Sequence, residues 1–225
     1  MIRLFTGRPG NGKSYHIARE TVRYLRKGKT VFSNVNIDVS KIKSKKSKPL
    51  GQFIYLTDAQ IGAWDDKNGS NFINGLQGFA CNFHQQKNGY MKEHQSLVII
   101  DECQQPNVLN CRTYNAPNRV SMNNFLQIHR HYGFDIILAT QHTTFIDKQA
   151  RNLIQCEEEH RKLSMFKKFG KILTWIVGRE VFVIVKRDLS LKRTPTLSRM
   201  GSYYMVASKR IYNVYNSSTA PDVRR

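Results

Sequence analysis

Eight residues near the start of the chain, Gly7-Arg8-Pro9-Gly10-Asn11-Gly12-Lys13-Ser14, have the spacing G-x-x-x-x-G-K-S. A polyphosphate crowds the backbone that holds it, so glycines stand where a Cβ would clash. Successive N–H groups then turn inward as an anion nest, and the helix that follows adds the positive end of its dipole. A lysine at this position reaches the β- and γ-phosphates, and a following serine binds Mg²⁺. The segment from Gly7 to Ser14, with the adjoining Tyr15, is therefore expected to bind ATP. Lys13 would act on the phosphates and Ser14 on the metal.

A second set of chemistry-bearing residues lies in LVIIDE, where Asp101 and Glu102 follow four apolar residues. An aspartate at the end of a buried strand holds Mg²⁺. A glutamate beside it can serve as general base for the attacking water. If strand alternation continues through the pair, the two carboxylates point to different sides. A third set closes FDIILATQH, where Gln141 is positioned to sense the γ-phosphate, with Thr140 and His142 as neighbours.

These residues need a scaffold. The runs IRLFTG, KTVFSNV, FIYLTD, LVIIDE and FDIILA read as strands, the apolar ones buried on both faces as in a parallel sheet. Ser14–Gly28 has Ile17, Ala18, Val22 and Leu25 on one helical face and Gly28 as its stop. Ser121–Gly133 is expected to be a helix capped by Ser121 and ended by Gly133, with His129, Arg130 and His131 in its last turn. TFIDKQARNLIQ is a short helix, and Gly69–Gln95 is at best weakly helical. From about Cys156 the pattern alternates as antiparallel β structure does, and Ile172–Val185 reads as a hairpin. The expected fold class is an α/β P-loop NTPase: a central, mainly parallel sheet flanked by helices, with a small C-terminal β-rich extension. The expected organisation is an ATPase core over 1–155, a β-rich extension over 156–215 packed on it, and a flexible tail over 216–225.

Composition narrows the partners. The 36 Lys and Arg against 16 Asp and Glu leave a net charge of +20 in 225 residues. That excess points to a polyanionic partner, nucleic acid or an anionic membrane face. Lys41–Pro49 packs five lysines into a stretch without apolar periodicity, a loop that is either solvated or in contact with phosphates. The four cysteines form no C-x-x-C pair, which argues against a zinc site and for reduced thiols. No segment reaches the length of an apolar membrane span, and MIRLFTG is not a secretory signal.

Taken with NV at Asn34-Val35, VIIDEC at Val98–Cys103, HRHYGFDIILATQ at His129–Gln141, Arg151 in KQARNLI and KRIYNVYNSS at Lys209–Ser218, the chain resembles the zonular occludens toxin family. That family includes the gene I assembly proteins of filamentous phages. The resemblance implies a cytoplasmic ATPase domain at the bacterial inner membrane that powers secretion and assembly of single-stranded phage DNA with coat and assembly proteins. Lys13, Ser14, Asp101 and Glu102 carry over directly. Family members continue into a transmembrane helix, so the anchor is expected in a missing C-terminal part or in a partner subunit. A homo-oligomer, a ring, is expected to supply an arginine finger, with Arg130 and Arg151 the two candidates. Two alternatives stay open at this point: a nucleoside or nucleotide kinase, and a non-hydrolysing scaffold switched by nucleotide.

Overall fold

The computed structural model describes residues 1–44, 48–65, 67–106, 108–112, 117–191 and 198–215. The tail over 216–225 and residues 45–47 of the lysine run lie outside them.

The chain opens with β1 (Ile2–Thr6), the glycine-rich loop and α1 (Lys13–Leu25), then β2 (Thr30–Ser33), β3 (Phe53–Tyr55) and α2 (Asp58–Ile61). A small hairpin, β4 (Trp64–Asp65) and β5 (Gly69–Ser70), leads into α3 (Asn71–Phe83). β6 (Ser96–Ile100), α4 (Pro117–Ile128), β7 (Phe134–Ala139) and α5 (Lys148–Leu153) follow. The chain continues through β8 (Cys156–Lys162), α6 (Lys167–Val177), β9 (Val181–Asp188), β10 (Arg199–Val206) and α7 (Lys209–Val214).

The main sheet has the order β10-β9-β8-β1-β7-β6-β2-β3. From β8 to β3 every neighbour is parallel, and β9 and β10 are added antiparallel. β6 and β7 are buried at every position, which is why they read as unbroken apolar runs. Successive residues of the strands serve opposite cores. Leu4, Ile100 and Leu138 pack with Leu76 of α3 and Phe125 of α4. Phe5, Ile99 and Ile137 pack with Ile17, Ala18 and Leu25 of α1. Because the strands are parallel, the carboxyl ends of β1, β6 and β7 meet at one edge, where an open α/β sheet binds its ligand.

Four local expectations are corrected. The segment after Gly69 holds a full helix, α3, capped by the Ser70 hydroxyl, which accepts from Ile73 N. Its apolar residues Phe72, Ile73, Leu76 and Ala80 share the buried face, and that packing outweighs Gly75 and Gly78. α4 begins at Pro117, so Ser121 lies inside it, and His129–His131 follow its end. KILTWIV belongs to α6 rather than to a hairpin, and Gly178 closes it in the left-handed region at φ 65 with its N–H on the Thr174 and Trp175 carbonyls. The spacing of Ile172, Trp175 and Ile176 is helical, and their β propensity masked it. The region from Cys156 is not antiparallel throughout: β8 pairs antiparallel with β9 but parallel with β1, so it continues the central sheet itself.

Candidate functional site

The loop after β1 depends on its glycines. Gly7, Gly10 and Gly12 have φ of 141, 78 and 93. A Cβ on Gly7 would lie 2.6 Å from the His160 carbonyl oxygen, and one on Gly12 would lie 2.5 Å from a ring carbon of Phe182. At Gly10 nothing lies within 4 Å, so only its backbone conformation requires glycine. The loop is braced from below by β8, where Asn11 Nδ2 donates to the His160 carbonyl at 3.1 Å. It is braced from the side by β7, because Gly7 N donates to the Gln141 carbonyl at 3.3 Å. No side chain caps the start of α1, which leaves its first N–H groups for an anion.

Gly12→Ala is expected to cost about 2–4 kcal/mol, from left-handed backbone strain plus overlap with Phe182. Gly10→Ala carries the strain alone and should cost about 1–2 kcal/mol. Urea unfolding of the two variants side by side checks the ordering.

Lys13 is buried, and its ammonium donates to the Gly7 carbonyl at 2.6 Å. Burial pushes its pKa down, and the charges of Asp101 and then Glu102 push back. The loop lysine and the acid pair thus share one electrostatic environment, although 88 residues separate Lys13 from Asp101 (101 − 13). Burial lifts the Asp101 carboxyl to about 6, with the Glu102 charge adding to it, while a hydrogen bond from Glu102 N and the Lys13 charge oppose it. The Asp101 carboxyl is half-buried and the Lys13 charge only partly offsets its upward shift, a setting that favours a further cation. Ser14 and Asp101, beside the glycine cradle and the N–H groups of α1, fit a Mg²⁺–nucleotide complex. Asn11 Oδ1 and Gln104 Oε1, both buried without a hydrogen-bond partner, add unused acceptors to this edge.

Asp101 is fixed by a residue whose role the sequence did not reveal. Asn34, just past β2, takes the Asp101 N–H at 2.7 Å and returns its own amide to the Asp101 carbonyl at 2.9 Å. The same amide reaches Asp58 at 3.0 Å, so a third carboxylate joins this edge. Neither role has a local signal: adjacency of β2 with β6 creates the first and adjacency of β2 with β3 the second.

Glu102 is not a continuation of the strand. β6 ends at Ile100, and Glu102 sits in the left-handed region at φ 50. Strand alternation therefore does not set its direction; a turn does. The Gln104 amide donates to the Glu102 carboxylate, and Cys103 N donates to the Ala139 carbonyl at 2.9 Å, tying this turn to β7.

The structure brings Lys13, Asp101, Glu102 and Gln141 to one edge, with Gln141 exposed at the tip of β7. Ser14 is half-buried at the start of α1, and Arg8 and Pro9 are exposed. The Tyr15 side chain is engaged elsewhere. Its ring packs against Phe182 and Tyr212, and its hydroxyl accepts from Ser208 N at 2.8 Å. Arg130 is not brought in. It precedes β7, at the opposite edge of the sheet, and pairs with Glu93 at 3.6 Å. Arg151 is half-buried in α5, and among the described residues no ion pair joins it to Asp101 or Glu102.

The chain is 27% identical over 154 residues to the putative assembly protein ORF301 of Pseudomonas phage Pf3, covering 68% of this chain and 40% of that protein. It is 27% identical over 143 residues to the gene 1 protein of Enterobacteria phage f1, covering 58% and 38%. It therefore spans well under half the length of these curated relatives. Among solved structures, the N-terminal domain of zonular occludens toxin from Neisseria meningitidis superposes with a TM-score of 0.51 at 17% identity, covering 96% of this chain and 98% of that one. The genome packaging NTPase B204 of Sulfolobus turreted icosahedral virus 2, in complex with ATP-gammaS, superposes at 0.53 with 14% identity, covering 92% and 96%. Both share the fold, that of a P-loop NTPase. The family model for zonular occludens toxin (Zot) matches residues 1–222, and the chain belongs to that family.

Proposed function

We propose that this chain is a Mg²⁺-dependent ATPase that powers assembly and secretion of filamentous phage single-stranded DNA across the bacterial inner membrane. The observation that carries the catalytic part is the shared environment of Lys13, Asp101 and Glu102. The cargo follows from the family and from relatives named as phage assembly proteins, together with a net charge of +20.

In this reading the N–H groups of the loop and of α1 bind the phosphates, and Lys13 neutralises charge that develops on the γ-phosphoryl group. Ser14 and Asp101 would hold Mg²⁺, which supplies further charge neutralisation at the phosphates when bound. Glu102 orients the attacking water and accepts its proton. Gln141, whose own backbone touches the loop, senses the γ-phosphate. Among the described residues no arginine is ion-paired with Asp101 or Glu102, so the finger comes from a neighbouring copy in a homo-oligomer, a ring, with Arg151 and Arg130 the two candidates. The cytoplasmic face of the membrane and the coat and assembly proteins are partners in the same reading. Among the described residues no helix is long and apolar enough to cross a membrane.

ATP turnover with and without single-stranded DNA tests this proposal. Wild type should hydrolyse ATP and be stimulated by DNA, and Lys13→Ala should fall to background. Retained turnover in Lys13→Ala would overturn the catalytic assignment. A phosphorylated nucleoside product would make the chain a kinase.

A further inference from the structure

Two features play no part in the nucleotide site. The first is a cavity of about 740 Å³ between α1, α7 and the segment after β2. Arg26, Lys41, Lys43 and Arg210 line it, and no acid does. Lys41 is paired with Asp38 at 2.9 Å, whereas Arg26, Lys43 and Arg210 are exposed and make no ion pair among the described residues. Its floor is aliphatic, with Val22, Ile42, Ile211 and Val214.

The second feature is α6 and the turn before it. Trp175 is 82% exposed, Ile176 67%, Met165 65% and Ile172 57%. The helix sequence KKFGKILTWIV contains lysines and no acid. The two features adjoin. Tyr212 of α7 donates to Glu180, just past α6, at 3.0 Å, and the Glu180 carbonyl accepts from Ala207 N just before α7. The acids beside this surface are engaged: Glu180 by Lys162 as well as by Tyr212, and Asp38 by Lys41.

We infer that α6 and the α1–α7 cavity form a docking surface for an anionic phospholipid bilayer, with α6 lying in the interface and the cavity taking a lipid phosphate. Four exposed large apolar side chains on a basic segment are costly in water and suit the headgroup boundary, where tryptophan is favoured. The cluster of cations without acids complements lipid phosphate. Single-stranded nucleic acid fits less well, because the cavity that gathers the cations presents no aromatic ring on which a base could stack, and besides Trp175 the most exposed apolar side chains of α6 and its turn, Ile176, Met165 and Ile172, are aliphatic. This surface includes none of the residues placed at the nucleotide site, although α6 follows β8 at the same carboxyl edge of the sheet, and it does not rest on the ATPase reading.

Flotation of the full chain with phosphatidylcholine vesicles, with and without phosphatidylglycerol, tests the inference. Wild type should bind only the anionic vesicles, and brominated lipid should quench its tryptophan fluorescence. Lys43→Glu combined with Arg210→Glu should weaken binding by at least tenfold, given about fivefold for each cation removed. Trp175→Ser with Ile176→Ser should lose the quenching and most of the binding. All these side chains are exposed, so the fold should persist, and ATP turnover without vesicles should match wild type in both variants. Equal binding to neutral and anionic vesicles would overturn the inference. So would full vesicle binding by the charge-reversed variant, or a charge reversal that removes DNA binding alone.

Discussion

Glu102→Gln is expected to lower ATP turnover by about 10²–10⁴-fold, the range for loss of a positioned general base, while nucleotide binding stays near wild type. The substitution removes a charge but keeps the shape of the side chain and its contact with Gln104. The left-handed turn at φ 50 and the Cys103–Ala139 hydrogen bond do not depend on the carboxylate, so the turn should hold. Asp101 and Ser14 remain for the metal, and Lys13 with the loop N–H groups remains for the phosphates. The expected signature is thus a protein that binds nucleotide with Mg²⁺ and does not turn it over. Asp101→Asn should behave differently, losing the dependence of nucleotide affinity on Mg²⁺ along with activity. Single-turnover kinetics beside equilibrium binding of a fluorescent ATP analogue separates the two. Unchanged turnover in Glu102→Gln would remove Glu102 as the base, whereas nucleotide binding without turnover in wild type would favour the non-hydrolysing scaffold.

The parts of this site that are legible in the sequence are those whose physical requirements fall within one short segment. The loop needs glycines, a lysine and a helix start within eight residues, and all are consecutive at Gly7–Ser14. The acid pair announces itself because a strand buried on both faces has no polar residue until its end. Sheet order created what was illegible. Asn34 and Asp101 are 67 positions apart and meet only because β2 lies beside β6. Arg130 is eleven residues from Gln141, yet β7 lies between them and places them at opposite edges. The direction of Glu102 does not follow from strand alternation, because a turn, not the strand, carries it. In α3 and α6, packing and a glycine stop outweighed propensity, which is weak evidence in either direction.

The stability of the loop's foundation should depend on pH in a window set by a histidine pair. His160 of β8 is fully buried, with its Nε2 2.8 Å from His16 Nδ1 and its Nδ1 3.2 Å from the Thr6 carbonyl. Phe5 stacks on His16 with ring centroids 4.4 Å apart. One proton arrangement satisfies these contacts with both rings neutral: His16 donates to His160, and His160 donates to Thr6. Burial lowers His160 to about 4, against hydrogen bonds that favour its charged form, and burial also holds His16 well below its ordinary value. A depressed folded-state pKa contributes stability that is complete above the unfolded value near 6.5 and is lost as pH falls toward 4. The difference for His160 corresponds to about 3 kcal/mol. Glu158, 3.8 Å from His16, attracts a proton to the pair but does not reverse the direction. Because Asn11 hangs from the His160 carbonyl and Gly7 lies against it, this loss reaches the phosphate loop before the rest of the sheet. Urea unfolding of wild type should therefore weaken between pH 6.5 and 4 by more than carboxylate titration accounts for. His160→Gln, which keeps a neutral hydrogen-bonding side chain, should remove that part of the slope, and nucleotide affinity in wild type should fall over the same window. Parallel pH profiles for wild type and His160→Gln would show that the pair does not control the loop.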